Sequence, residues 1–369
     1  MRPAYGLYPC IASALVLFIV LVGLLTSPAL EPFKYALRLG PTLDSFCTDV
    51  DIPVVVVARN NPTMIRLLVQ QLRDCFDARV IVLDDASDFP PMLEYLSSLA
   101  SDERVSVVRA ESAGGPHSWF RSPLHPALLA LPRFFAYTDA DLRLGSDLPR
   151  NFLCVLAHLS QRLNVPKVGL ALDLSDAERM WPQADFYGAH SVWGWENNFW
   201  GASVEVPGWP GFGAQRVFRA AVDTTFAVYD KALLSCSNDE YPSQPCFTAK
   251  NAVRVAGSFS AKHRPWYPAA LAVLPQEELY AMFAPPNRGS VASMLNRLGL
   301  FGNVTQQASA RELLEKWSTG QQAYQKADDL MGYKCTLEGE DGGAGMRAGI
   351  PGGFTTLRPP VANSMLLAK

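Results

Sequence analysis

The chain is poor in charge and has no basic stripe: 18% of its 369 residues are charged and the formal net charge is only −3. Without clustered lysine and arginine nothing is available to neutralise a phosphate backbone, so the composition argues against a nucleic-acid partner. Seven cysteines are present, but no CxxC and no zinc-ligand spacing, which leaves a structural zinc site without ligands. No internal repeat is visible, which excludes a solenoid or propeller array.

One charge-free run stands out. CIASALVLFIVLVGLL, with its flanks, gives about 20 apolar residues over 7–26, long enough for a helix to cross a bilayer. The following TSPAL is a poor small-x-small cleavage site, so an uncleaved signal-anchor is expected rather than a removed signal peptide. A short tail (1–6) precedes it and a stem (27–50) follows, placing the folded remainder on the far side of a single-pass type II membrane protein. One sequon, Asn303-Val304-Thr305, is compatible with a secretory compartment. Cys75 and Cys154 lie in apolar helical patterns and read as core thiols, whereas Cys236 and Cys246 bracket a polar loop that a disulfide would close.

After the stem, strand and helix patterns alternate. DIPVVVVA, RVIVLDD, RVSVVRA, FFAYTD and KVGLALDL are β-branched or apolar runs of strand length. Between them, PTMIRLLVQQLRDCF, PPMLEYLSSLA, LHPALLALPRF and DLPRNFLCVLAHLSQRL read as helices. Such alternation predicts a mostly parallel sheet with helices on both faces. In open sheets of this kind ligands bind beyond the carboxyl ends of the strands. Polar residues gather at those ends: Asn60 and Asn61 after the first strand, Asp84 and Asp85 after the second, Asp139 and Asp141 after the fourth. Further on come a tryptophan-rich segment, a glycine-rich loop, the strands VDTTFAVYD and VRVAGSFSAKH, a polar-faced terminal helix, and a glycine- and proline-rich tail (336–369) expected to be disordered.

Asp139 and Asp141 are one residue apart at a strand end, a spacing that lets both ligate one hard divalent cation, Mn2+ or Mg2+. The plainer alternatives are a helix cap or a pair with Arg143. Asp84 and Asp85 either build a turn or accept hydrogen bonds from a ligand. His263, between Lys262 and Arg264 beyond a strand end, is a surface histidine, a metal ligand or a phosphate contact. Trp181 and Trp209 read as core. Trp193, Trp195 and Trp200 surround Glu196, an acid whose pKa an apolar setting would raise towards proton-transfer work. Asp223, opening a strand, is an equal candidate base and Asp239, beside Glu240, a third.

VVVVARNNPTMIRLLVQQL, VIVLDDAS and YTDADL together resemble the first half of a GT-A nucleotide-sugar glycosyltransferase of the family-2-like group. VDTTFAVYD and VRVAGSFSAKHRPWY resemble its second half, so the likeness spans Ile52 to Tyr267. It implies a GT-A (Rossmann-like) α/β fold, a mixed, mostly parallel sheet with flanking helices, at 51–335: a nucleotide-binding half (51–174), an acceptor and metal half (175–275) and a helical C-terminal part (276–335). By the resemblance Asn60, Asp84, Asp85, Asp139 and Asp141 bind the nucleotide sugar. Asp139, Asp141 and His263 hold the metal, and Asp223 or Glu196 is the base of an inverting transfer to a hydroxyl acceptor on a glycan, glycoprotein or glycolipid. A Golgi membrane enzyme with a lumenal catalytic domain is the usual arrangement. Two rivals are an aspartyl phosphotransferase, against which Arg143 stands two positions beyond the second aspartate, and an inactive carbohydrate-binding or scaffold protein on the same fold.

Overall fold

A computed structural model describes residues 43–48, 50–115, 130–181, 191–201, 203–205, 216–222, 224–234, 252–283, 312, 329–335 and 347–348. The chain forms two units, Met1–Thr48 and Asp49–Lys369. In the first, helix α1 (Leu43–Thr48) is described. The apolar segment 7–26, the first part (124–129) of the helix expected over 124–134, the Cys236–Cys246 loop, the terminal helix (apart from its ends) and the tail (apart from 347–348, which form a short strand where disorder was expected) lie outside the described residues. Among the described residues no helix is long and apolar enough to cross a membrane.

The second unit is built on strands β1 (Val54–Ala58), β2 (Val80–Asp84), β3 (Val105–Arg109), β4 (Phe134–Asp139), β5 (Leu142–Leu144), β6 (Lys167–Leu172), β7 (Ser203–Glu205), β8 (Arg216–Arg219), β9 (Ala227–Asp230) and β10 (Ala252–His263). They form one sheet in the order β3-β2-β1-β4-β9-β6-β10-β8-β7, with β5 paired to β10. A separate two-stranded ribbon joins β11 (Tyr333–Lys334) to β12 (Arg347–Ala348). Helices α2 (Pro62–Phe76), α3 (Pro90–Ser98) and α4 (Phe152–Leu163) fall where the sequence places them. Proline opens α2 and α3, where its missing N–H is not needed. Asp77 and Asn164 close α2 and α4 in left-handed conformation, an ending that aspartate and asparagine tolerate.

Of the mixed, mostly parallel sheet expected, the mixed character holds and the predominance of parallel pairs needs correction. β3, β2, β1 and β4 are parallel neighbours, and β6 runs parallel to β10. Strand β9, however, inserts antiparallel between β4 and β6, and β8, β7 and β5 add further antiparallel pairs. The sheet is mixed. Its centre is largely apolar: Val54, Val56, Ala136, Tyr137, Val168 and Val228 have no exposed surface. Such two-faced burial is what a strand covered on both sides requires.

The plain-thiol reading of two cysteines also fails. Cys75, on α2, is bonded to Cys335, 260 residues later, and Cys154 is likewise disulfide-bonded. A helical apolar pattern accommodates a half-cystine as readily as a thiol, so spacing alone does not separate them.

Candidate metal and ligand site

Three ligand atoms, one each from Asp139, Asp141 and His263, lie within 4.8 Å of one another. Residues 122 positions apart meet because β5 folds back against β10, with Leu142 opposite His263 in register. Asp139 ends β4, level with Val57 of β1. The turn between the two aspartates is closed by the Arg264 N–H, which donates to the Asp141 carbonyl at 2.9 Å.

Each carboxylate has a different setting. Asp139 is gripped by Thr224: the Thr224 hydroxyl donates to Asp139 Oδ2 at 2.6 Å, and the Asp139 N–H donates to the Thr224 carbonyl at 3.0 Å. Asp141 Oδ1 is buried without a hydrogen-bond partner, 3.3 Å from His263 Nε2. Burial pushes the Asp141 carboxyl up to about 6, with the positive charge of Arg264 pulling the other way. A buried carboxylate oxygen lacking a donor is costly, and a cation shared with Asp139 and His263 would satisfy it. Two carboxylates and an imidazole suit Mn2+ or Mg2+ coordination completed by phosphate oxygens or water. The residues present therefore fit a divalent cation.

The cations flanking His263 are engaged elsewhere. Lys262 Nζ lies 2.5 Å from Asp176 and 3.3 Å from Asp173. Arg264 is fully buried; its guanidinium donates to the Leu142 and Leu330 carbonyls. Burial and the neighbouring Arg143 pull it down to about 9, with Asp141 opposing. Arg143 does not pair with either aspartate of the DxD; it donates to the Gly332 carbonyl.

At the ends of β1 and β2 the polar residues build the edge of the sheet. Asn60, in left-handed conformation, accepts from the Asp88 and Phe89 N–H groups and donates to Asp88 Oδ1. Asp84 is fully buried, accepting from the Ser87 N–H and pairing with Arg109 at 3.1 Å. Asp85 accepts from the N–H groups of Gly114 and Gly115, each at 2.9 Å. Asn61 is buried beside them. Asn60, Asp84 and Asp85 thus order the loops, whereas Asn61 Oδ1 is buried without a hydrogen-bond partner.

The two candidate bases fare differently. Glu196, on helix α5 (Val192–Asn197), is not the unpartnered acid in an apolar nest that its tryptophans imply. Arg254 Nη1 donates to Glu196 Oε2 at 2.6 Å, with both side chains almost wholly buried. The guanidinium stacks 4.0 Å from the Phe199 ring. Asp223 and Asp239 lie outside the described residues, as does Trp209, though Asp223's neighbours Val222 and Thr224 are described. Trp181 is core, 1% exposed. Sequence reasoning passed over Thr224, Lys167 and Arg254. The last two carried a signal, since a cation inside an apolar strand run is seldom buried without a partner.

No protein-family model matches the chain, and no curated protein is significantly similar to it. Solved structures are similar at a distance. A mannosyltransferase from Pyrobaculum calidifontis, in complex with GDP-Man and Mn2+, matches at 13% identity over 85% of this chain and 94% of its own, with a TM-score of 0.39. GalNAc-T7 with UDP, GalNAc and Mn2+ matches at 13% identity over 72% of this chain and 54% of its own, with a TM-score of 0.37. The galactosyltransferase LgtC, in complex with donor and acceptor sugar analogs, matches at 13% identity over 49% of this chain and 58% of its own, with a TM-score of 0.27.

Proposed function

We propose that the chain is a metal-dependent glycosyltransferase that moves a sugar from a nucleotide-sugar donor to a hydroxyl acceptor. The observation that carries this reading is the convergence of Asp139, Asp141 and His263 at the carboxyl edge of the sheet, with a buried Asp141 oxygen lacking a donor. Asp139, Asp141 and His263 would hold Mn2+ or Mg2+, which when bound offsets the charge developing on a leaving diphosphate. Asn60, Asp84 and Asp85 serve the donor by fixing the loops that receive it. In the reaction the acceptor oxygen bonds to the anomeric carbon as the bond to the diphosphate oxygen breaks, and the electron pair leaves with the nucleoside diphosphate. The acceptor's proton passes to a carboxylate. Asp223 is the better candidate for that carboxylate, because Glu196 already has a buried arginine partner. The outcome is inverting when the acceptor enters in a single displacement from the face opposite the departing diphosphate.

We further propose that the protein works in an oxidising compartment, anchored through residues 7–26 as a type II protein with its second unit in the Golgi lumen. The Cys75–Cys335 disulfide supports that reading, since structural disulfides persist outside the cytosol.

The test is a screen of nucleotide-sugar hydrolysis and transfer with Mn2+, comparing the native chain with Asp141→Asn. The expected result is turnover of at least one donor and a loss of roughly 100-fold or more in the variant, the rate equivalent of several kcal/mol. No turnover of any donor would sink the proposal and leave a sugar-binding protein without catalysis, whereas equal activity in the variant would overturn the metal-dependent mechanism.

A further inference from the structure

Ala221, Val222 and Thr224, described residues ahead of β9, are each held by a hydrogen bond. The Ala221 carbonyl accepts from Arg254 Nε at 2.8 Å, and the Val222 carbonyl accepts from the buried Lys167 ammonium. The Val222 side chain is fully buried over Gly169, where a Cβ would stand 2.6 Å from Val222 Cγ1. Arg254 is itself held by Glu196 and lies on Phe199. Thr224 makes both contacts to Asp139. Two buried cations thus hold consecutive carbonyls so that one hydroxyl meets one carboxylate.

A carboxylate on a single Cα–Cβ axis can turn about its terminal torsion, a broad and soft coordinate. A short hydrogen bond from a hydroxyl to a carboxylate is charge-assisted and roughly twice as strong as a neutral one. Here its donor is also tied to Asp139 through the backbone, because the Asp139 N–H donates to the Thr224 carbonyl. We propose that Thr224 is the positioning residue of the cation site, setting the rotation of the Asp139 carboxylate. This rests on the metal-dependent reading above, and concerns how the site is held ready rather than which groups it comprises.

The test is a calorimetric titration with Mn2+ alone, in the absence of any donor, on the native chain and on Thr224→Val, Thr224→Ser and Asp139→Asn. Valine keeps the shape and removes the hydroxyl; serine keeps the hydroxyl. The expected pattern is an affinity about 10- to 100-fold weaker for valine, as for other partners that orient metal ligands, near-native affinity for serine, and none measurable for asparagine. Urea midpoints are read alongside, and if the valine variant does not fold, Thr224→Ala takes its place. Should valine bind Mn2+ as the native chain does, or serine bind as weakly as valine, the positioning role is overturned while the metal site stands. Failure of the native chain to bind Mn2+ removes the metal reading and this inference with it.

Discussion

A Cβ built on Gly169 would meet Val222 Cγ1 at 2.6 Å and the Phe226 carbonyl oxygen at 3.0 Å, so even alanine forces β6 and the run before β9 apart. Gly169→Ala is expected to cost about 1–3 kcal/mol, the usual penalty of overpacking a filled interior, read as a lower urea midpoint at unchanged slope. Glu196 gives the complementary case. Its pair with Arg254 is almost wholly buried, and removing one member strands a buried charge. Glu196→Ala should therefore destabilise the fold by about 3–5 kcal/mol, whereas replacing both residues by apolar side chains of similar volume should recover much of that. Chemical denaturation of the single and double variants checks both. A stable Glu196→Ala that lost only activity would instead restore Glu196 as a base. The sequence reading went astray here for a physical reason: neighbours along the chain showed the tryptophans, while the arginine that settles the charge comes 58 residues later.

At the scale of elements, local pattern placed what local physics determines. The bounds of α2 follow from its opening proline and its helical spacing of apolar residues. The run FFAYTD is β4 to the residue. Pairing was another matter. Strand β9 divides β4 from β6, and nothing in VDTTFAVYD announces an antiparallel insertion, because a strand buried on both faces reads alike in either direction. The C-terminal segment was equally illegible. Residues 330–335 lie against the site's supports through the Leu330 and Gly332 carbonyls, the Tyr333 hydroxyl on Asp74, and the Cys75–Cys335 bond. Cutting that bond by Cys75→Ser should cost about 2–4 kcal/mol. It should also expose 330–335, seen as faster amide exchange there than in β1 or β4. Equal exchange with and without the disulfide would show that the hydrogen bonds alone suffice.

Across the whole molecule, the parallel strands β1, β2 and β4 carry charge to two opposite edges for two different ends. Their carboxyl ends deliver Asp139 and the Asp84–Asp85 pair, the part of the site visible in the sequence because strand ends are local. For His263 the local pattern left a surface histidine, a metal ligand and a phosphate contact open, since its meeting with the aspartates depends on the β5–β10 pairing. At the other edge, Asp77 at the end of α2 and Asp102 before β3 share Arg73 and Arg104. A hydrogen bond from Arg104 holds the Asp77 carboxyl below its ordinary value, and the Arg104 N–H, with help from Arg73, does the same for Asp102. A depressed carboxyl contributes stability above its unfolded value, near pH 4, and loses it as pH falls through the folded value. Arg104→Ala should therefore lower stability at pH 6 by no more than about 1 kcal/mol, because the pairs face solvent. The difference should fade below pH 3, and it should shrink in high salt. Mn2+ affinity measured on the same variant should match that of the native chain, since the two edges of the sheet carry separate duties. A variant at this edge that weakened the cation site would show instead that the edges are coupled through the strands between them.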